Sequence, residues 1–371
     1  MGIIGLTAGI YFFSEMPLSV FFEKLIAIQI DYIAGVMLSS ILFVLLSIFL
    51  QILLHEGGHL VCGLATGYRF ISFRILNLTF IRLDNKIRIK RFSIAGTGGQ
   101  CLLAPPEKAL ADISCVWYNL GGVLANLLTA IIAIILLLTI NPMPHLLEVF
   151  LVVFSLIGIF IGLMNGIPMK IGGIGNDAHN IILFLKDERS KKALMIQLRV
   201  NALAQEGVRP KDMPQEWFIK EGETNYKDAL QTTIYLMAAS RLQDMEEWDA
   251  AYTALEEIMD HKDEIMGLLV KEVACELLFS ALVTGRNERA EELYTPELSV
   301  YIEQYKKMMS SKQRVLCALA LYREKDIAKA KEIYDTVCRE RTKYLMQGEV
   351  NMDIALMQSM LSHSSLNNVL V

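Results

Sequence analysis

The chain has 371 residues with 35 Lys+Arg, 40 Asp+Glu and a formal charge of −5, a balance that gives no basic surface for nucleic acid. The charges are unevenly placed, 19 in residues 1–185 and 56 in residues 186–371. That excludes one uniform soluble globule and predicts a membrane-embedded half followed by a soluble, mildly acidic half. The six cysteines form no Cys-x-x-Cys pair, which points to buried thiols in a reducing compartment rather than a disulfide framework.

In chain order, residues 3–13 are apolar but carry no basic flank and no small-residue cleavage site, so no cleavable signal peptide is expected. With residues 18–29 after Pro17 they read as a membrane-associated segment, 1–31. Three stronger apolar runs follow, at 32–54, 116–140 and 146–164, each near the roughly 20 residues a spanning helix needs. The loop between the first two carries Arg69, Arg74, Arg82, Lys86, Arg88, Lys90, Arg91 and Lys108, whereas residues 141–145 carry no Lys or Arg. The positive-inside rule then puts the basic loop and the carboxy-terminal half in the cytoplasm of a cell membrane. Within the loop, residues 70–75 and 86–92 alternate apolar and polar around Asp84-Asn85, which predicts a β-hairpin. Such a hairpin could touch anionic lipid, or offer an edge to an unwound substrate strand.

His55-Glu56-Gly57-Gly58-His59 closes the first apolar run. On a helix its two imidazoles lie one turn apart on one face and can share a zinc ion, with Glu56 as general base toward a zinc-bound water. His and Glu are costly inside a bilayer unless they serve a site. A catalytic zinc takes three protein ligands, and Asp177, in a Gly-rich segment after the third run, is the natural third. Asp177 also suits a helix N-cap. His179 is a competing ligand, or a group supporting the ligands from behind.

From residue 186 the pattern is polar and helical. Ala250, Ala290 and Ala330 recur every 40 residues, with turn-like breaks at 243–246, 284–287 and 323–326. This reads as helix-turn-helix repeats of the tetratricopeptide kind or as a plain helical bundle, and in either case as a surface for a protein partner.

His55-Glu56-Gly57-Gly58-His59, Gly121-Gly122 with Asn126, and Asn165 with Pro168 followed by Asp177 together resemble the site-2 protease family of intramembrane zinc metalloproteases, over about residues 30–185. The resemblance implies an α-helical membrane protein with a three-helix catalytic core (32–185) and a β-hairpin, joined here to an α-helical, tetratricopeptide-like cytoplasmic domain (186–371). It implies Zn²⁺ held by His55, His59 and Asp177, Glu56 as the catalytic base, and Asn126 and Asn165 near the substrate or site. The substrate would be a membrane protein or peptide cut near the cytosolic face of the lipid bilayer, with no nucleic acid involved. Two features differ from the family: Ala178 follows Asp177 where Gly is usual, and the step from Pro168 to Asp177 is longer. The alternatives are a catalytically inactive scaffold that binds partners through the helical domain, and a transporter, for which three spans without an inverted repeat are a poor basis.

Overall fold

A computed structural model describes residues 30–83, 86–91, 98–109, 112–171, 174–219, 222 and 225–367. The expectation for residues 1–29 lies outside them. Three helices are long and apolar enough to cross a membrane: α1 (Ile30–Ala65), α2 (Val116–Thr139) and α3 (His145–Gly166). They pack on one another, and their outward faces stay apolar, with Leu38, Leu138 and Phe160 exposed. Such faces suit lipid rather than water. α1 runs unbroken through the His-Glu motif to Ala65, so the motif lies inside the helix and not at its end.

The basic loop folds into more than the expected hairpin. Strands β1 (Arg69–Ile75), β2 (Leu78–Leu83), β3 (Lys86–Arg91) and β4 (Gly99–Ala104) form an antiparallel sheet in the order β3-β2-β1-β4. The runs 70–75 and 86–92 do not pair with each other, because β2 intervenes and pairs with both β1 and β3. Its Leu-Thr-Phe-Ile-Arg-Leu alternates too weakly to stand out beside its neighbours. Asp84, Asn85 and Phe92 lie outside the described residues. β4 pairs with β1 on the opposite edge, against α1. Its side of the sheet is buried through Cys101, Leu102, Leu103 and Ala104, whereas β3 leaves Ile87 and Ile89 exposed.

After α3, a two-stranded turn, β5 (Lys170–Ile171) and β6 (Ile174–Gly175), leads into α4 (Asp177–Lys186) and α5 (Glu188–Gln205). The sheet, α4 and α5 share one apolar core, built from Leu103, Ile71, Phe184, Met195 and Leu198. The expected boundary at 185/186 thus falls inside the last turn of α4, and α4 and α5 bury faces against the same sheet.

The second half alternates helices: α6 (Ala229–Asp244), α7 (Trp248–Asp260), α8 (Gly267–Val283), α9 (Asn287–Leu293), α10 (Pro296–Tyr305), α11 (Ser310–Ala318), α12 (Ile327–Glu340) and α13 (Gln347–Asn367). Three turns between them are built alike. Glu246, Gly285 and Lys325 each adopt positive φ and end one helix just before the cap of the next. Four residues after each cap comes a buried alanine, Ala251, Ala290 or Ala330. The repeat is therefore anchored on Ala251 in its first unit. Ala250, the residue that fits a strict 40-residue spacing, is exposed.

Candidate metal centre

Because α1 is continuous, His55 and His59 stand one turn apart on its buried face, 9 % and 8 % exposed. Their Nε2 atoms are 3.1 Å apart, and Asp177 Oδ2 lies 3.2 Å from one and 3.5 Å from the other. His55 Nδ1 is 2.7 Å from Asn126 Oδ1, and His59 Nδ1 is 2.7 Å from the Tyr118 carbonyl. Both partners are acceptors, so each Nδ1–H must donate. In the neutral rings each Nε2 then presents a lone pair to the centre. Asp177 Oδ2 is buried and has no hydrogen-bond partner. Two imidazole lone pairs and a carboxylate oxygen aimed at one point repel unless a cation or a proton sits among them, so the donor set fits a metal ion.

Asp177 reaches this point because it is spared the cap. Asn176 caps α4, accepting from the His179 backbone N–H at 2.9 Å. Its amide also donates to the Met164 and Ile167 carbonyls. The long step from Pro168 is taken up by β5 and β6, closed where Asn176 N–H donates to the Met169 carbonyl at 3.0 Å. Asp177 is thereby delivered as the first residue of α4. Ala178 follows inside the helix, where a glycine would serve no turn. His179 is not one of the three converging ligands; its Nδ1 is buried and unpartnered.

Three glycines let the helices and the two imidazoles come together. A Cβ at Gly58 would sit 2.2 Å from the Gly121 carbonyl oxygen, and one at Gly121 2.3 Å from that of Gly58, so α1 and α2 touch backbone to backbone. A Cβ at Gly122 would meet His59 Nε2 and His55 Cε1 at 2.6 Å. Gly57 has nothing within 4 Å.

Behind the ligands runs a buried polar chain through all three spans. Asn126 donates to Gln51 Oε1 at 2.7 Å and to the Gln51 carbonyl at 2.8 Å, and Gln51 donates to the Phe154 carbonyl at 3.2 Å. Asn126 is fully buried, and these bonds with the one to His55 occupy its amide. The residue expected near substrate or site thus orients a ligand and has no free group for substrate. Asn165 bonds to the Ile161 carbonyl of its own helix at 3.1 Å. Gln51 was not singled out from the sequence, although a glutamine four residues before His55 in an apolar run is a readable signal.

Glu56 lies against β4. Its carboxylate accepts the Cys101 backbone N–H, and a Cβ at Gly99 would fall 2.8 Å from its Oε1. The Cys101 carbonyl faces the same open edge and takes the Tyr118 hydroxyl at 2.6 Å. Arg74, 2 % exposed, donates to the Leu76 and Gly99 carbonyls and so pins the start of that edge. The strand beside Glu56 is therefore β4, at the opposite edge from the basic run 86–91. Short, glycine-led and apolar, residues 99–104 carry little alternation that would have marked them.

No family model, curated protein or solved structure matches this chain.

Proposed function

We propose that the chain is an intramembrane zinc endopeptidase of the site-2 protease kind, cutting membrane-spanning or membrane-associated peptides near the cytosolic face. The observation that carries this reading is the convergence of His55 Nε2, His59 Nε2 and Asp177 Oδ2 on one point in a membrane-spanning bundle, with Glu56 on the next residue of the same helix. Edges of 3.1, 3.2 and 3.5 Å among the three ligand atoms match the roughly 3.3 Å ligand spacing that follows from tetrahedral zinc with bonds near 2.0–2.1 Å.

His55, His59 and Asp177 would hold the ion. When bound, zinc supplies Lewis acidity and makes a water acidic enough to lose its proton near neutral pH. Glu56 takes that proton on its carboxylate and returns it to the departing amine nitrogen. The Nδ1–H bonds to Asn126 and to the Tyr118 carbonyl keep both imidazoles in the ligating tautomer. β4 is the strand against which an unwound substrate could lie, because its open edge already faces Glu56. The exposed Ile-Arg alternation of β3, at the other edge, favours contact with anionic lipid over contact with substrate. The basic loop and the helical half are cytoplasmic in this reading, and the tetratricopeptide-like turns serve a protein partner.

Zinc content and cleavage of transmembrane peptides, measured together on detergent-purified wild type, Glu56→Gln and Asp177→Asn, test the proposal. We expect zinc in wild type and Glu56→Gln, cleavage by wild type alone, and loss of metal in Asp177→Asn. Folded wild type without metal would overturn it in favour of an inactive scaffold.

A further inference from the structure

The residues of β4 alternate between two surroundings. Gly99 and Cys101 meet Glu56, while Gln100 and Leu102 line a cavity of about 410 Å³. The cavity lies between the sheet and the helical half, and its volume is in the range of roughly 300–1,000 Å³ typical of ligand pockets. Tyr301, Tyr305, Met308, Met309, Leu269 and Leu345 form most of its apolar wall.

Two polar groups at this cavity lack partners. Gln205, the last residue of α5, is 1 % exposed, and neither Nε2 nor Oε1 has a hydrogen-bond partner. A buried amide with donor and acceptor both unmet is costly, and its two halves match those of a peptide group. Glu349 opens onto the cavity from α13, and no hydrogen bond or ion pair joins it to the described residues. The cations in reach are committed elsewhere. Lys312 holds Glu272 at 2.7 Å, and Arg314 holds Glu276 at 2.5 Å and Asp353 at 2.7 Å. Lys90 donates to the Tyr344 carbonyl at 2.8 Å. Glu349 is exposed to the cavity rather than enclosed, and partial loss of bulk water there, with Asp353, Glu272 and Glu276 close by, raises its carboxyl to about 7. Open to the cavity and not tied to a cation of the described chain, this carboxylate can take one from an occupant.

We propose that this cavity binds a short peptide segment of another chain, with its cationic group on Glu349, a peptide group on Gln205 and apolar side chains against Tyr301, Tyr305 and Met309. The site does not depend on the chain being a protease. Its occupant would rest on Gln100 and Leu102, in the strand whose other residues hold Glu56, so binding and the metal centre share one structural element.

The test uses the full chain in detergent and four probes: acetylated, amidated Leu-Lys-Leu, Leu-Gln-Leu and Leu-Glu-Leu, and n-hexylamine. Calorimetric titration should give saturable Leu-Lys-Leu binding at or below about 1 mM, with Leu-Glu-Leu weakest. Glu349→Gln should weaken Leu-Lys-Leu about tenfold and change Leu-Gln-Leu less than about twofold. Gln205→Leu should weaken both tripeptides about tenfold and leave hexylamine unchanged. A benzophenone-bearing Leu-Lys-Leu should cross-link wild type within residues 301–309, a readout that needs no variant to fold. No saturable binding, cross-links elsewhere, or hexylamine binding as tightly as the tripeptides would overturn the proposal.

Discussion

The two halves of this protein bury polar groups in opposite ways. In the membrane half the buried polar side chains behind the converging histidines, Gln51 and Asn126, are neutral, and donation runs in one direction, from His55 through Asn126 and Gln51 to the Phe154 carbonyl. In the helical half the buried groups are charged and cross-linked, Arg314 to Glu276 and Asp353, Lys312 to Glu272, with Arg314 also stacked 4.0 Å from the centre of the Phe279 ring. The contrast follows from the surroundings. No water reaches the hydrocarbon core, so a chain of neutral hydrogen bonds is the cheaper way to fix a ligand there. A soluble core can hold ion pairs if every charge is answered. Each half also holds a buried group without a hydrogen-bond partner that faces a candidate binding site, the Asp177 oxygen in one and the Gln205 amide in the other.

The strongest way to break the comparison is to remove one member from each network. His59→Ala deletes one of three converging ligands, and metal content by mass spectrometry should fall from stoichiometric to background while the purified protein stays helical. Arg314→Leu leaves Glu276 and Asp353 facing each other without a cation. Denaturation should show a loss of about 3–5 kcal/mol in the helical half, with metal content untouched. Asn126→Leu frees His55 to rotate without removing a ligand, and competition with a chelator should report roughly 10–100-fold weaker metal binding.

A smaller effect sharpens the contrast through pH. Glu349, with its carboxyl raised from 4.5 to about 7, holds its proton more tightly folded than unfolded. Between those values the unfolded chain has already released the proton, so stability falls as pH rises through the window. Thermal unfolding of the helical half, followed from about pH 5 to about pH 8, should show that fall, and Glu349→Gln should reduce it to the part contributed by Asp353, whose carboxyl is raised to about 6. The smallest effect is a glycine pair. Gly57→Ala meets no neighbour and should stabilise α1 by about 0.5–1 kcal/mol. Gly58→Ala drives a methyl into the Gly121 carbonyl and should loosen the α1–α2 contact, lowering the melting temperature where Gly57→Ala raises it.

Much of the site was readable from residue types. A His-Glu-x-x-His pair in an apolar run is legible because helical spacing alone puts both imidazoles on one face. The spans are legible because a bilayer demands about 20 apolar residues whatever the fold. The glycines of the second span were legible as a pattern, but the contact each one permits was not. The sheet was half-legible: β1 and β3 alternate visibly, whereas β4 is recognised by what lies on either side of it.

Composition and local periodicity by themselves determined the two-part chain, the three helices long and apolar enough to cross a membrane, and the pairing of His55 with His59 on one helix face, since each follows from spacing within one segment. Only the tertiary structure decided that Asn176 rather than Asp177 caps α4. Only it placed Gln51 behind Asn126, set β4 rather than the basic run beside Glu56, and moved the first repeat alanine to Ala251. Those outcomes turn on which backbone groups are left to be satisfied once distant segments meet, and that accounting exists only in the folded chain.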